Sequence, residues 1–209
     1  GRAIAALLHV HKGSVEYNRG NLEEAARDCG RGLELARAVG PLLPAEAEAH
    51  NMLAILAWAG GHIPEALVHY EQSRAGWLAL GNGYQVARVE ANMGVAHFYL
   101  GEWEQAQVYY NRSKEYLEQI DDRDMLAHPY LNLGNINLYQ GDWEQAELNF
   151  SRALALWSSA HHVRFQALCH TNLGLLAIEQ EEWVKAQAQL EESYAILTEY
   201  KIRDMVSEV

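Results

Sequence analysis

The sequence predicts an all-α fold, a solenoid of stacked antiparallel helix pairs, and two repeated landmarks are the reason. The first landmark is a six-residue segment that ends in alanine and recurs about every 40 residues. Its five copies begin at Gly20, Gly61, Gly101, Gly141 and Glu181 and end at Ala25, Ala66, Ala106, Ala146 and Ala186. Five copies in one register indicate an array of repeats rather than a single globular core.

The second landmark precedes the first in every repeat. It is an Asn-x-Gly segment at Asn92–Gly94, Asn132–Gly134 and Asn172–Gly174, with Asn51 and Gly13 in the matching places of earlier copies. A large or apolar residue follows the alanine by four positions and a small one by seven. Offsets of 3, 4 and 7 put side chains on one helical face. We therefore predict two helices per repeat, with close backbones at the small residues and aromatic rings packed against the next repeat.

Each repeat contributes a first and a second helix. The first helices are predicted over 2–18, 44–59, 84–99, 125–139 and 164–179, and the second over 22–38, 64–79, 103–119, 143–158 and 183–199. A glycine followed by an acidic residue, at Gly101 and Gly141, marks the turn between paired helices. Pro64 suits the first turn of its helix. No strand is predicted.

The linkers are short, which predicts one array over residues 1–209. Its repeats are expected at about 2–42, 43–82, 83–122, 123–162 and 163–201, with residues 202–209 opening a sixth repeat. Neither end has an obvious polar capping helix. We therefore expect a longer array in the parent protein and self-association through the array ends.

The composition disfavours several functional classes. The chain has 209 residues, 49% of them apolar, and a formal net charge of −12. This charge disfavours binding to nucleic acid or an anionic membrane, and no apolar run reaches the roughly 18 residues needed to span a bilayer. No secretory signal is visible, so a cytoplasmic location is the simplest setting. Cys29 and Cys169 show no zinc-ligand spacing and are expected to be reduced and buried.

Motifs for catalysis or metal binding are not found. The nucleophile elbow, the phosphate-binding glycine loop and the zinc-protease motif are missing, so neither enzymatic activity nor a cofactor is expected. The ten histidines form no helical pair with a nearby third ligand, so no metal site is expected either. The paired carboxylates at Asp121–Asp122, Glu181–Glu182 and Glu191–Glu192 are expected to be solvated.

The segment from Tyr130 to Ala146 resembles the tetratricopeptide repeat (TPR), and the resemblance covers almost the whole chain. The departure is length, since the usual repeat has about 34 residues, and the longer period adds roughly one helical turn. Long repeats of this kind are similar to those of Pins-type spindle adaptors, kinesin light chains and sensor regions of bacterial signal-transduction ATPases. HEAT-like arrays share the period, but the spacing of glycine, alanine and aromatic residues favours the tetratricopeptide repeat. The resemblance implies a right-handed superhelix whose first helices line a concave groove.

A row of asparagines on the first helices is the leading candidate for a binding site. The row consists of Asn51, Asn92, Asn132 and Asn172, on helices that carry little charge. Each amide offers two donors and an acceptor, which can pair with successive peptide units. The row resembles the asparagine ladder in O-linked N-acetylglucosamine transferase repeats, which grips peptide backbone. The alternative is that each amide bonds a neighbouring helix.

Further candidates follow from helical offsets to that row. Arg88, His128 and Asn135 are expected to face the same groove, with Tyr99, Tyr139 and Trp58 farther along it. Packing between repeats remains the alternative for each aromatic residue, and solvation remains the alternative for Arg88.

These observations predict a non-enzymatic module that binds an extended peptide or a partner's helix. Two alternatives stay open. One is a sensor segment of a larger bacterial signal-transduction ATPase or transcription activator, which would bind a small neutral ligand such as a saccharide. The other is an oligomerisation scaffold that acts through the array ends.

Overall fold

The computed structural model describes residues 1–40 and 44–200, whose regular secondary structure is entirely helical. The helices are α1 (Arg2–Asn18), α2 (Leu22–Arg37), α3 (Pro44–Ala59), α4 (Ile63–Ala79), α5 (Gly83–Tyr99), α6 (Trp103–Gln119), α7 (Arg123–Gln140), α8 (Trp143–Ser159), α9 (Val163–Glu179) and α10 (Trp183–Glu199). These bounds lie within two residues of the predicted ones at every end, so the all-α class is confirmed. The expected opening of a sixth repeat, at 202–209, lies outside the described residues.

A left-handed residue follows most of the helices. The residues with φ between 51° and 83° are Gly20, Gly61, Gly81, Gly101, Asp121, Gly141, His161 and Glu181. From Gly61 onwards they recur every 20 residues, which is half of the sequence repeat. After α5 the Glu102 N–H donates to the His97 carbonyl at 3.0 Å and the Gly101 N–H donates to the Phe98 carbonyl at 3.0 Å. This pair of bonds is the Schellman motif, in which glycine adopts the required φ most readily.

The largest departure from the predicted bounds is at the start of α7. The helix begins at Arg123 rather than at residue 125 because Asp122 caps it. The Oδ1 atom of Asp122 accepts a hydrogen bond from the Met125 N–H at 3.0 Å, which satisfies one of the free donors of the first turn.

The chain divides into two compact units, Gly1–Ser113 (unit 1) and Lys114–Val209 (unit 2), and the division falls within α6. The prediction of one continuous array stays a prediction. In unit 1, α1 packs against α2 and α3 against α4, and the two pairs meet where α2 contacts α3. Its core includes Cys29, Tyr70, Trp77 and Val89, each at most 6% exposed.

Unit 2 repeats the same construction. Within it α7 packs against α8, α9 packs against α10, and α8 contacts α9. Phe150 and Trp157 of its core are 0% and 1% exposed, and the Phe165 ring of α9 stacks on Trp157 with 4.7 Å between ring centroids. The predicted packing of aromatic rings between repeats is therefore present in this unit.

Both cysteines are free and buried, as predicted. Burial raises the pKa of each thiol to about 12. The thiolate, which is the reactive form, is therefore scarce at neutral pH, and both side chains act as small core residues.

Candidate functional site

The four asparagines of the predicted row differ in exposure. Asn51 is completely buried and Asn172 is 8% exposed, whereas Asn92 and Asn132 are half-buried. The prediction that all four amides are open to a ligand is therefore wrong for Asn51, because its side chain is enclosed between packed helices. Asn172 is nearly as enclosed, so we do not expect it to contact a ligand directly either.

In unit 1 the buried and the half-buried asparagine are paired. The Asn92 Nδ2 atom on α5 donates to the Asn51 Oδ1 atom on α3 over 3.5 Å. This is the alternative interpretation of the row, in which an amide bonds a neighbouring helix. The pairing leaves the Asn92 Oδ1 atom as an acceptor on the half-buried side chain. The Asn51 Nδ2 atom is buried and has no partner among the described residues.

Arg88 is not the solitary cation that the sequence suggested. Its Nη2 atom lies 2.5 Å from the Glu48 Oε2 atom on α3, so the two side chains form an ion pair within unit 1. The sequence offered no direct signal for this pair, because Glu48 lies 40 residues away. The pair cancels the fixed positive charge that was expected at this surface.

The predicted aromatic residues of unit 1 lie together at the carboxyl ends of α3 and α5. The rings of Trp58 and Tyr99 meet edge to face, with 5.6 Å between centroids. Tyr99 is 63% exposed, and Trp58 is half-buried. An exposed phenol held by a partly buried indole is a surface to which a ligand side chain can bind.

In unit 2 a second asparagine pair links α9 to α7. The Asn172 Nδ2 atom donates to the Asn135 Oδ1 atom at 2.9 Å. Asn135 is half-buried, and the bond leaves its NH₂ group as a donor. Asn132, one turn earlier on α7, is also half-buried. Tyr139, near the end of the same helix, is 64% exposed.

His128 is half-buried and packs against the core of unit 2. Its ring meets the rings of Trp157 and Phe165 edge to face, each at 5.1 Å between centroids. Burial, and next the nearby His162, lower the pKa of His128. The neutral imidazole therefore acts as an aromatic packing group, and the expectation that it also faces a ligand stays a prediction.

A pair of histidines that the sequence did not single out lies in unit 1. The Arg37 Nη2 atom is 3.2 Å from the His50 Nε2 atom, and the His50 Nδ1 atom is 2.9 Å from the His69 Nδ1 atom. Because a guanidinium only donates, the His50 Nε2 atom must accept. The His50 proton then lies on Nδ1 and is donated to His69. The chain of bonds requires both imidazoles to be neutral.

Within 1–40 and 44–200, no three histidine, cysteine or acidic side chains are grouped as metal ligands would be. None of the described helices has the length and apolar character to cross a bilayer.

The family profile described as tetratricopeptide repeat matches residues 3–79, 85–159 and 126–199. No curated protein sequence matches the chain. The structure of BtubC (BKLC) from P. vanneervenii has a TM-score of 0.79 and 21% identity, and the match covers 90% of this chain and 78% of that chain. At such identity the likeness shows the fold alone.

Two further solved structures share this fold. A Rap protein complexed with Competence and Sporulation Factor has a TM-score of 0.79 and 17% identity over 92% of this chain and 54% of that chain. A Signal Transduction ATPase with Numerous Domains protein with a tetratricopeptide repeat sensor, from Pyrococcus horikoshii, has a TM-score of 0.82 and 14% identity. That match covers 95% of this chain but only 31% of the other.

Proposed function

Because the chain belongs to the tetratricopeptide repeat family, we propose that its first helices bind an extended peptide segment of a protein partner. The observation that carries the proposal is the set of neutral polar groups on these helices. Asn92 and Asn132 are half-buried, and Tyr99 and Tyr139 are 63% and 64% exposed. A peptide backbone is a neutral ligand with one donor and one acceptor in most residues, which matches amide side chains.

The buried asparagines would orient the more exposed ones. In unit 1, Asn51 takes a donor of Asn92, so the Asn92 Oδ1 atom is left to accept from a ligand N–H. In unit 2, the Asn172 side chain donates to the Asn135 Oδ1 atom, so the Asn135 NH₂ group is left to donate to a ligand carbonyl. Asn51 and Asn172 are thus positioning residues: the one leaves an acceptor available in unit 1, and the other leaves a donor available in unit 2.

The remaining candidates define the chemistry of the ligand. Tyr99, supported by Trp58, and Tyr139 would contact ligand side chains through their rings, as aromatic residues do at many interfaces. Arg88 and Glu48 neutralise each other. A neutral ligand segment therefore fits this surface better than an acidic or basic one.

The comparisons support this role at the level of the fold. The Rap protein that shares the fold was solved with a bound factor, so a helical array of this kind accommodates a partner. A non-enzymatic role without a cofactor, and a cytoplasmic location, belong to the same proposal.

The test uses a selected peptide as the probe. A displayed library of random linear peptides is panned on the chain, and one selected peptide is labelled for fluorescence anisotropy. Replacing both Asn92 and Asn132 by alanine removes two hydrogen bonds of about 1 kcal/mol each, so the Kd should rise at least about tenfold. Asn111→Ala, on the second helix α6, is the matched control and should leave the Kd unchanged.

Two further readouts keep this test decisive. Far-UV circular dichroism should show the same helicity in the double variant and the parent. A peptide of the same sequence with methylated backbone nitrogens should bind more weakly, because methylation removes the peptide N–H groups that donate to the asparagine side chains. Full affinity of the double variant, or of the methylated peptide, would contradict backbone recognition.

A second candidate function is sensing of a small neutral ligand within a larger signalling ATPase. The likeness to the Pyrococcus horikoshii protein, whose repeats are described as a sensor, favours it. A panel of neutral oligosaccharides in a thermal-shift assay addresses this candidate. A rise in Tm that Tyr99→Ala abolishes and Asn92→Ala leaves intact would favour the sensor over the peptide-binding module.

A further inference from the structure

The outer face of α1, called the leading face here, is an uncovered apolar stripe. Ile4 and Leu8 are each 64% exposed and Val15 is 47% exposed, and their spacing places them on one side of the helix. Aligning Gly13 with Gly174 puts Leu8 in register with Cys169 and Val15 in register with Leu176. Those two residues of α9 are 0% and 1% exposed. The leading face is therefore a helix-packing face that no described residue covers.

The outer face of α10, called the trailing face here, is likewise not covered by any residue within 1–40 and 44–200. Trp183 and Tyr194 are 64% and 63% exposed, and with Leu190 and Ile178 they line an open apolar groove of about 510 Å³. Forty residues earlier, the equivalents of Leu190 and Tyr194 are Phe150 and Leu154 of α8. Phe150 is 0% exposed, and Leu154 packs against the core that α8 shares with α9.

Unit 2 shows what such a trailing face accepts. The second helix α8 is covered by the first helix α9, and Phe165 of α9 stacks on Trp157 of α8 at 4.7 Å. Unit 1 uses the same type of contact where α2 meets α3 and where α4 meets α5. A first helix is thus the element that packs on such a face, and α1 exposes the corresponding face of a first helix.

The net charges of the first and last repeats differ in sign. Residues 1–40 carry six basic and five acidic side chains, whereas residues 163–200 carry two basic and six acidic ones. In the repeats between them, 44–82, 83–122 and 123–162, acidic side chains outnumber basic ones throughout. The first repeat is thus the one that an acidic last repeat meets with the least like-charge repulsion.

We propose that the trailing face of one copy of the chain binds the leading face of a second copy, head to tail. Ile4, Leu8 and Val15 of one copy would cover Leu190 and Tyr194 of the other, as α9 covers their equivalents Phe150 and Leu154 within unit 2. The contact joins two different surfaces, so it does not close on itself as a symmetric dimer does and further copies can add to the ends. The proposal is independent of peptide binding by the first helices.

The test is sedimentation of the full chain over a range of concentrations. The mean mass should rise from 23.5 kDa to at least twice that value as the concentration increases. Leu8→Glu on the leading face and Tyr194→Glu on the trailing face should each remain monomeric. Val68→Glu, at an apolar position of α4 that is 59% exposed, is the matched control and should associate like the parent chain.

Mixing the two blocked variants distinguishes head-to-tail contact from any other. Leu8→Glu keeps an intact trailing face and Tyr194→Glu keeps an intact leading face, so an equimolar mixture should form dimers and nothing larger. A mixture that stays monomeric, or a blocked variant that associates by itself, would overturn the proposal. Far-UV circular dichroism identifies a variant that has failed to fold, and Leu8→Gln and Tyr194→Gln then replace the glutamate variants.

One further variant separates the proposed occupant from the chain's own last residues. Residues 201–209 are deleted and sedimentation is repeated. If the full chain is monomeric and the shortened chain associates, the segment 201–209 covers the trailing face, and the proposal of a second copy is wrong. Equal association of both chains supports it.

Discussion

The close approach of the paired helices α7 and α8 depends on Gly134, and replacing it by alanine should destabilise the protein. A Cβ atom added there would lie 2.5 Å from Cε1 and 2.6 Å from Cδ1 of Phe150. Ordinary carbon contacts are about 3.5–4.0 Å, so the ring would have to move by about 1 Å. Phe150 is completely buried in the core of unit 2 and has little room to move.

The expected magnitude follows from two opposing effects. Overpacking a buried site by one methyl group costs about 1–3 kcal/mol, and the enclosed ring places Gly134→Ala in the upper half of that range. The better helix propensity of alanine returns about 1 kcal/mol. The net loss in free energy of unfolding is therefore about 1–2 kcal/mol. With a urea slope of about 2 kcal/mol per molar, the midpoint should fall by about 0.5–1 M.

The assay is urea unfolding followed by far-UV circular dichroism, with a second glycine as the matched control. Gly30 lies within α2, and a Cβ added there would meet no atom within 4 Å. Because alanine has the better helix propensity, Gly30→Ala should raise the free energy of unfolding by up to about 1 kcal/mol, and the urea midpoint should rise with it. Leu53 of α3 stands where the other repeats have glycine, so a helix pair can form around a side chain here and Gly134→Ala should still fold. A midpoint for Gly134→Ala equal to or above that of the parent would refute the reasoning.

Two other predictions concern the turns and the histidine pair. Glu181 has a φ of 59°, so Glu181→Gly should raise the free energy of unfolding by about 1 kcal/mol, whereas Glu179→Gly, at the last residue of α9, should lower it; equal urea midpoints for the two variants would contradict this. Burial, and next the neighbouring His69, lower the pKa of His50 to about 4, below the value of about 6.5 for an unfolded histidine. The unfolded chain then binds more protons between these values, so stability is full above about pH 6.5 and falls as the pH drops towards 4, by up to about 3 kcal/mol. His50→Gln should remove that part of the fall in urea midpoints, with His11→Gln, an exposed histidine of α1, as control; an unchanged profile in His50→Gln would show that the pair does not set the pH dependence.

The fold could be predicted from the sequence because its determinants are local and repeated. Each helix end is determined by a short segment, such as Gly101 or Gly141 with the acidic residue that follows it. A 40-residue period repeats this information five times. The sequence did not predict that left-handed residues recur every 20 residues, because Asp121 and His161 occupy positions that glycine holds elsewhere. At these exposed turns the local hydrogen bonds, from the Asp122 N–H to the Leu117 carbonyl and from the His162 N–H to the Trp157 carbonyl, hold a residue other than glycine in the left-handed region.

The candidate site was predicted less well, because exposure depends on contacts between repeats that no single repeat encodes. Four asparagines in one register share a helical face, yet Asn51 is enclosed and Asn92 is not, since the side chains around each position differ from one repeat to the next. The same register brought Arg88 within reach of Glu48, which removed the expected cation. A repeated polar residue thus has two uses in this array: one copy bonds a neighbouring helix, and that bond fixes which atoms of the next copy remain available. The hydrogen bonds from Asn92 to Asn51 and from Asn172 to Asn135 are the basis on which a ligand's carbonyl and N–H groups would be distinguished.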